Sequence, residues 1–194
     1  MATTTTPQAH TRNFVGLDIP ASGTFAIDTS HSAAGFTVRH LVVAKTKGRF
    51  TDFSGTITIA EDPLESSVDV TIATGSISTG DDGRDTHLRS PDFFDVDQYP
   101  AMTYKSTAVR HASREHFVVE GELTIAGVTR PVALDVNYEG AVVDPWGGER
   151  AVFSASTKIN REDFGLSWNQ ALETGGVLVG KDVSIDLEVE AVRQ

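Results

Sequence analysis

Apolar and polar residues alternate with a period of two along most of this chain. Val68, Val70 and Ile72 alternate with Asp69 and Thr71. Phe117, Val119, Gly121, Leu123 and Ile125 alternate with polar neighbours, as do Val132, Leu134, Val136 and Tyr138, and then Val183, Ile185, Leu187 and Val189. Successive side chains of a strand point to opposite faces, so each such segment has one dry and one wet face. A parallel sheet buried on both sides would show continuous apolar runs, so the sheet is antiparallel. Its dry face needs a cover, and the helical material is small. The best candidate is Thr79 to Tyr99, with an acidic start and with Ser90-Pro91 reading as an N-cap followed by proline at the first helical position. Two short helical turns over roughly 80–97 cannot roof about eight strands of ~17–20 Å each. The sheet must therefore cover itself, as a barrel or a sandwich.

The 194 residues suit one such domain, and no internal repeat is visible. The polar, Thr-rich start from Met1 to Thr11 has no apolar run able to act as an export signal. These features predict a disordered tail over 1–22, a barrel domain over 23–194 and a cytoplasmic protein. A net charge of -11 disfavours nucleic acid and anionic membrane surfaces as partners. No stretch is long and apolar enough for stable membrane insertion. The absence of cysteine excludes disulfides and thiolate metal sites.

The dry face carries the functional reading. Gly35, Gly55, Gly121 and Ala155 lie on or beside strand interiors, where small residues either leave space or mark bends. An eight-strand barrel is about wide enough to be filled by side chains or to hold one slim ligand. His40 shares a face with Phe36 and Val38, as a hydrogen-bonded core histidine or as a donor near a ligand. Phe50 and Phe53 are three apart, so both face inward only if a bulge falls near Asp52. Phe93 and Phe94, beside Leu88, plug one barrel end or line a tunnel mouth. Arg84 and Arg89 on the helical insert are placed for an anionic head group. Lys45, Lys47 and Arg49 read as a solvated strand face.

Other constellations fall short. Gly175 to Asp182 nearly matches a phosphate-binding loop, but Asp182 stands where Ser or Thr is needed, and a strand pattern follows instead of a helix. The six histidines form no metal-ligand spacing. Asp28, His31 and Ser32 lie close without a nucleophile elbow. An enzyme acting on a small apolar substrate through Asp28, His31, Asp85 and His87 stands as one alternative, and a ligand-free structural barrel as another.

Several blocks, in order, resemble the YceI-like, polyisoprenoid-binding proteins. They are Asp28-Thr29-Ser30-His31-Ser32, Phe36-Thr37-Val38-Arg39-His40, Lys47-Gly48-Arg49-Phe50 and Arg84-Asp85-Thr86-His87-Leu88. Asp92-Phe93-Phe94-Asp95, the run Gly121 to Val132, and Arg161-Glu162-Asp163-Phe164-Gly165-Leu166 continue the series. The resemblance spans about Gly23 to Ala191. It implies an all-β fold, an extended antiparallel lipocalin-like barrel, with a long isoprenoid lipid threaded through its bore. The lipid would be an isoprenoid quinone or a polyprenyl pyrophosphate. The resemblance further implies a binding protein rather than an enzyme, no cofactor beyond the bound lipid, and compatibility with a homodimer. The ligand-binding positions expected from these readings are Phe36, Val38, His40, Phe50, Phe53, Arg84, His87, Arg89, Phe93 and Phe94.

Overall fold

A computed structural model describes residues 8–41, 43–171, 173 and 176–194. Strands β1 (Thr11–Phe14) and β2 (Leu17–Pro20) form an N-terminal hairpin. Six strands follow: β3 (Gly23–Ile27), β4 (Ala33–His40), β5 (Ala44–Phe50), β6 (Phe53–Ile59), β7 (Ser67–Ala73) and the short β8 (Ile77–Ser78). Helix α1 (Asp82–Arg89) then precedes β9 (Ala101–Ser113), β10 (His116–Ile125), β11 (Val128–Val143), β12 (Glu149–Asn160) and β13 (Val179–Arg193).

All the strand pairings are antiparallel. β13 pairs along one edge with β12 and along the other with both β3 and β4, with Ala191 opposite Ile27 and Leu187 opposite Ala34. β3 and β4 are thus one long strand broken by an excursion at 28–32. β5 and β6, which pair with β4 and β3, are likewise one strand broken at Thr51-Asp52. β7 and β8 make the third broken strand. Counted this way, eight strands follow one another in sequence order, and β13 closes the ring against the first. One seam is incomplete among the described residues: β7 pairs with β9, but β8 pairs only with β5. The insert from Thr79 to Tyr99 lies next to that gap.

The break at Thr51-Asp52 serves the purpose that the Phe50/Phe53 spacing requires. Both rings are buried inside the barrel. The insert is less helical than the sequence suggests. Asp81 caps α1, accepting from the Arg84 amide at 2.8 Å. Ser90 ends the helix rather than starting a second one, because its hydroxyl donates back to the His87 carbonyl at 2.8 Å. The residues beyond it form turns.

The expected disordered tail over 1–22 is corrected in its second half; residues 1–7 lie outside the described residues. The β1–β2 hairpin packs on the barrel because its few apolar residues have a surface to cover. Phe14 stacks on Phe117 at 6.4 Å and meets His111 edge-on at 5.5 Å. Ile19 is 4 % exposed and, with Pro20, closes over one end of the bore. The tight turn between the strands puts Gly16 at φ 86°, a conformation that glycine adopts at no steric cost.

The small inward residues divide: Gly35 and Ala155 line the bore, whereas neighbouring side chains fill the space beside Gly55 and Gly121, as they do beside Gly48. A Cβ at Gly121 would strike the Tyr104 ring, one at Gly55 would strike Ile27 and Val70, and one at Gly48 would strike the Phe36 ring. Neighbouring side chains use the space that these glycines leave. Tyr104 lies across Gly121, and its hydroxyl donates to the carbonyls of Val119 (3.0 Å) and Val132 (3.2 Å). Burial, with a smaller contribution from Glu120, pushes its phenol up to about 12, which keeps it a neutral donor.

Candidate functional site: an apolar bore

The inward faces of the eight strands enclose a cavity of about 330 Å³, within the range of small-molecule sites. Ile19, Ile59 and Phe153 line it at the hairpin end. Ile27, Val119 and Leu187 line its middle, and Phe36, Leu88, Phe94 and Phe164 its helix end. Polar groups on this surface are few: Tyr104, Tyr138, Arg161, Glu188, Thr157, Ser66 and Ser67. The bore is long because the strands are long; thirteen residues of β9 span ~43 Å at ~3.3 Å per residue.

The hairpin end is closed by polar ties. The Arg193 guanidinium lies 4.7 Å from the centre of the buried Phe25 ring. It donates to the carbonyls of Ser22 (2.9 Å) and Ala21 (2.7 Å) and pairs with Glu149 at 2.6 Å. Glu149 in turn binds His10.

At the helix end, Arg161 is only 5 % exposed and donates to the carbonyls of Gly180 (2.9 Å), Leu166 and Val179. It ties the two ends of the β12–β13 connection together. Burial pushes its pKa down from the usual guanidinium value. Asn169 continues the tie, donating to the Val179 carbonyl (2.7 Å) and accepting from its amide (3.0 Å).

The ten sequence-derived positions divide cleanly. Phe36, Val38, Phe50, Phe53, Phe93 and Phe94 all line the bore. Phe50 packs between Phe36 and Phe94, with ring centres 5.8 Å away in each case. Four positions do not line it. His40 ends β4, half-buried, opposite Ala44 and Val179. His87 bonds Asp92 at 2.9 Å and meets the rings of Phe93 and Trp168 edge-on, at 5.1 and 4.6 Å. Arg84 spends its donors on Thr79. Arg89 spends its donors on the carbonyls of Gly75 and Ile77, both at 2.8 Å, and so straps α1 to the strand beneath it. The two arginines brace the insert instead of facing the bore. Sequence reasoning missed Ile19, Arg161 and Trp168. Arg161 sat inside a recognised motif without a role, and Trp168 follows that motif by two residues.

Of the four groups in the enzyme alternative, Asp28 and His31 meet each other but not Asp85 and His87. Asp28 and His31 lie in the excursion between β3 and β4, with Asp28 accepting from His31 (2.9 Å), Ser30 and Arg150 (2.6 Å). Asp85 is buried at α1, accepting from the amide and hydroxyl of Thr79. None of Asp28, His31, Asp85 or His87 lines the bore. Asp28, His31 and Glu190 do lie within 4.8 Å of one another, but Arg150 already supplies that cluster's cation, pairing with Asp28, Glu190 and Asp144.

The Arg150 guanidinium, with help from Ser30 and His31, holds the Asp28 carboxyl well below the usual carboxylate range. A carboxylate depressed in the folded state adds stability that is fully present above its unfolded pKa, near ~4, and lost as pH falls through the folded value. Arg150→Met should therefore cost about 2 kcal/mol at neutral pH, a partly exposed network being worth less than a buried one. The cost should shrink below about pH 4. Urea unfolding of both proteins at pH 7, 5 and 3 checks this. A pH-independent difference would contradict it.

The YceI-like domain family matches residues 25–191. The chain belongs to the YceI-like family. A UPF0312 protein of Staphylococcus aureus strain bovine RF122 is 39% identical over 170 residues, covering 86% of this chain and 95% of the relative. Among solved structures, the YCEI protein of Campylobacter jejuni is 33% identical, with a TM-score of 0.69, over 80% of this chain and 90% of that one. BcnA of Burkholderia cenocepacia shares the fold at 23% identity and a TM-score of 0.74, over 84% of this chain and 98% of that one. A polyisoprenoid binding domain from Saccharophagus degradans does so at 17% identity and a TM-score of 0.67, over 90% and 100% of the two chains. The family match spans the YceI-like barrel from β3 to β13, and the β1–β2 hairpin precedes it.

Proposed function

We propose that this YceI-like barrel binds and carries a long polyisoprenoid lipid, an isoprenoid quinone or a polyprenyl pyrophosphate, in its bore. One observation carries the reading: the enclosed surface is apolar from Ile19 and Ile59 at one end to Leu88 and Phe94 at the other, with few polar groups between. Hydrocarbon gains about 0.8 kcal/mol for each buried methylene. Ten such groups give roughly 8 kcal/mol, a dissociation constant near the micromolar range before the costs of association. Such a site needs length and dryness more than chemistry. The polyisoprenoid binding domain from Saccharophagus degradans supports the reading through its shared fold.

Native mass spectrometry of gently purified protein tests it. The expected spectrum shows an added apolar mass that an organic extract resolves as isoprenoid. Protein that is always free of added mass, and that takes up no prenyl lipid offered in detergent, would overturn the reading. The same spectra report whether the carrier is a monomer or a dimer.

A further inference from the structure

The turn between β4 and β5 leaves the helix end of the barrel with apolar side chains in water. Val43 is 83 % exposed and Leu41 45 %. Leu41 also takes φ 51°, where glycine or asparagine would sit at less steric cost. The exposed Val177 joins the same rim, since the Leu41 amide donates to the Leu178 carbonyl at 3.0 Å.

Cations stand directly behind this tip. Arg39 on β4 lies opposite Lys45 on β5, and Lys47 and Arg49 follow on the same face of β5. All four are exposed, and none pairs with a carboxylate among the described residues. Arg49 shares a row of the wall with Asp186, across Gly35. The row of Lys47 holds only Thr37, Ser184 and Lys158. Two acids at this end, Asp182 and Glu162, are already paired, with Lys158 at 2.6 Å and Lys181 at 2.8 Å. The uncompensated charge is therefore that of Arg39, Lys45 and Lys47. Lysine on a free strand edge also blocks unwanted pairing, and β5 from Ala44 to Gly48 is such an edge among the described residues. That role explains neither Arg39, on a strand paired along both sides, nor an apolar tip.

The spacing fits a bilayer surface. Lys45 stands about 7 Å behind Val43 along an extended strand, and Lys47 about 13 Å. The head-group layer of one leaflet is about 5–8 Å deep. A hairpin arriving tip-first would bring Leu41 and Val43 to the hydrocarbon edge with Arg39 and Lys45 among the phosphates, where basic side chains are attracted. The net charge of -11 belongs to the whole chain, and salt screens all but the groups within about 8 Å of the surface.

We propose that the β4–β5 tip docks this protein on a bilayer that carries anionic phospholipids, resting on its surface without spanning it. The inference goes beyond the lipid-carrier reading and does not depend on it, because Leu41, Val43 and Val177 lie outside the bore. Docking this way turns the helix end of the bore toward the membrane.

Co-sedimentation of the full chain with vesicles tests it, using phosphatidylcholine alone and equal parts phosphatidylcholine and phosphatidylglycerol. The parent should prefer the anionic vesicles by at least about ten-fold and lose the preference in high salt. Lys45→Gln with Lys47→Gln should weaken that binding about ten- to thirty-fold, and Val43→Asp at least about ten-fold. Lys105→Gln with Arg130→Gln removes two exposed cations elsewhere on the wall and should bind as the parent does. All these side chains are exposed, so each variant should keep the parent's melting temperature. The chain has no cysteine, so a polarity-sensitive dye on Val43→Cys reports the tip alone. Its emission should move to the blue with anionic vesicles, while the same dye on Val15→Cys, exposed at the hairpin end, should not respond. A parent that sediments with neither vesicle would overturn the assignment and leave an acidic protein as the occupant; uptake of prenyl lipid by the same preparation would keep the carrier reading intact. Equal losses in the tip and control variants, or a blue shift at Val15 alone, would also overturn it.

Discussion

Phe36→Asp should abolish lipid binding, lowering affinity for any long prenyl chain by at least about a hundred-fold. Phe36 lies on β4 and lines the bore, its ring over Gly48 and 5.8 Å from that of Phe50. A carboxylate there must either stay hydrated, which floods the bore, or protonate, which still leaves a polar group against hydrocarbon; an unpaired polar group in such a setting costs roughly 2–7 kcal/mol. Thr37→Asp is the matched control. It adds the same charge one residue along, on the opposite face of the strand and across from Lys47, and should bind lipid as the parent does. Fluorescent-lipid displacement on both variants checks the pair. Retained binding by Phe36→Asp would show that the lipid lies elsewhere.

Arg161→Met should give the largest loss of stability. The substitution strips the side-chain donor from the carbonyls of Gly180 and Leu166, at about 1–3 kcal/mol for each acceptor left buried and unpaired, while the Val179 carbonyl keeps the Asn169 amide. Relief from burying the guanidinium offsets part of this, leaving about 2–4 kcal/mol. For a chain of this size that is roughly a 10 °C fall in melting temperature. Arg161→Lys should recover only a fraction, since one ammonium cannot match a planar fork reaching several carbonyls. Differential scanning calorimetry decides the matter, and a methionine variant melting within a degree or two of the parent would refute the assignment.

How much of this was legible in the sequence follows from what period two can encode. Alternation reports which face of a strand is dry, so the inward placing of Phe36, Val38 and the β13 series could be read directly. The Phe50/Phe53 spacing violated the period, and the break at Thr51-Asp52 is the physical answer. Alternation does not report what an inward glycine faces. The rings that occupy the space beside Gly48 and Gly121 come from neighbouring strands, at separations that no local pattern shows. Charge misled in the same way. Arg84 and Arg89 looked available for an anion because their acceptors are the Thr79 hydroxyl and backbone carbonyls, groups that no charge pattern marks. The N-terminal hairpin was lost because Phe14, Leu17 and Ile19 are too few to stand out from a polar segment, and they matter only once a barrel end exists for them to cover.

The short reach of β8 has one more consequence. Around most of the wall, parting two neighbours means breaking a ladder of backbone bonds. Beside β8 and the insert it means breaking the two Arg89 bonds and sliding Leu88, Phe93 and Phe94 off a greasy surface, with no strand ladder to unzip among the described residues. On the lipid-carrier reading, this flank is where a slender guest would part the fewest backbone bonds to enter.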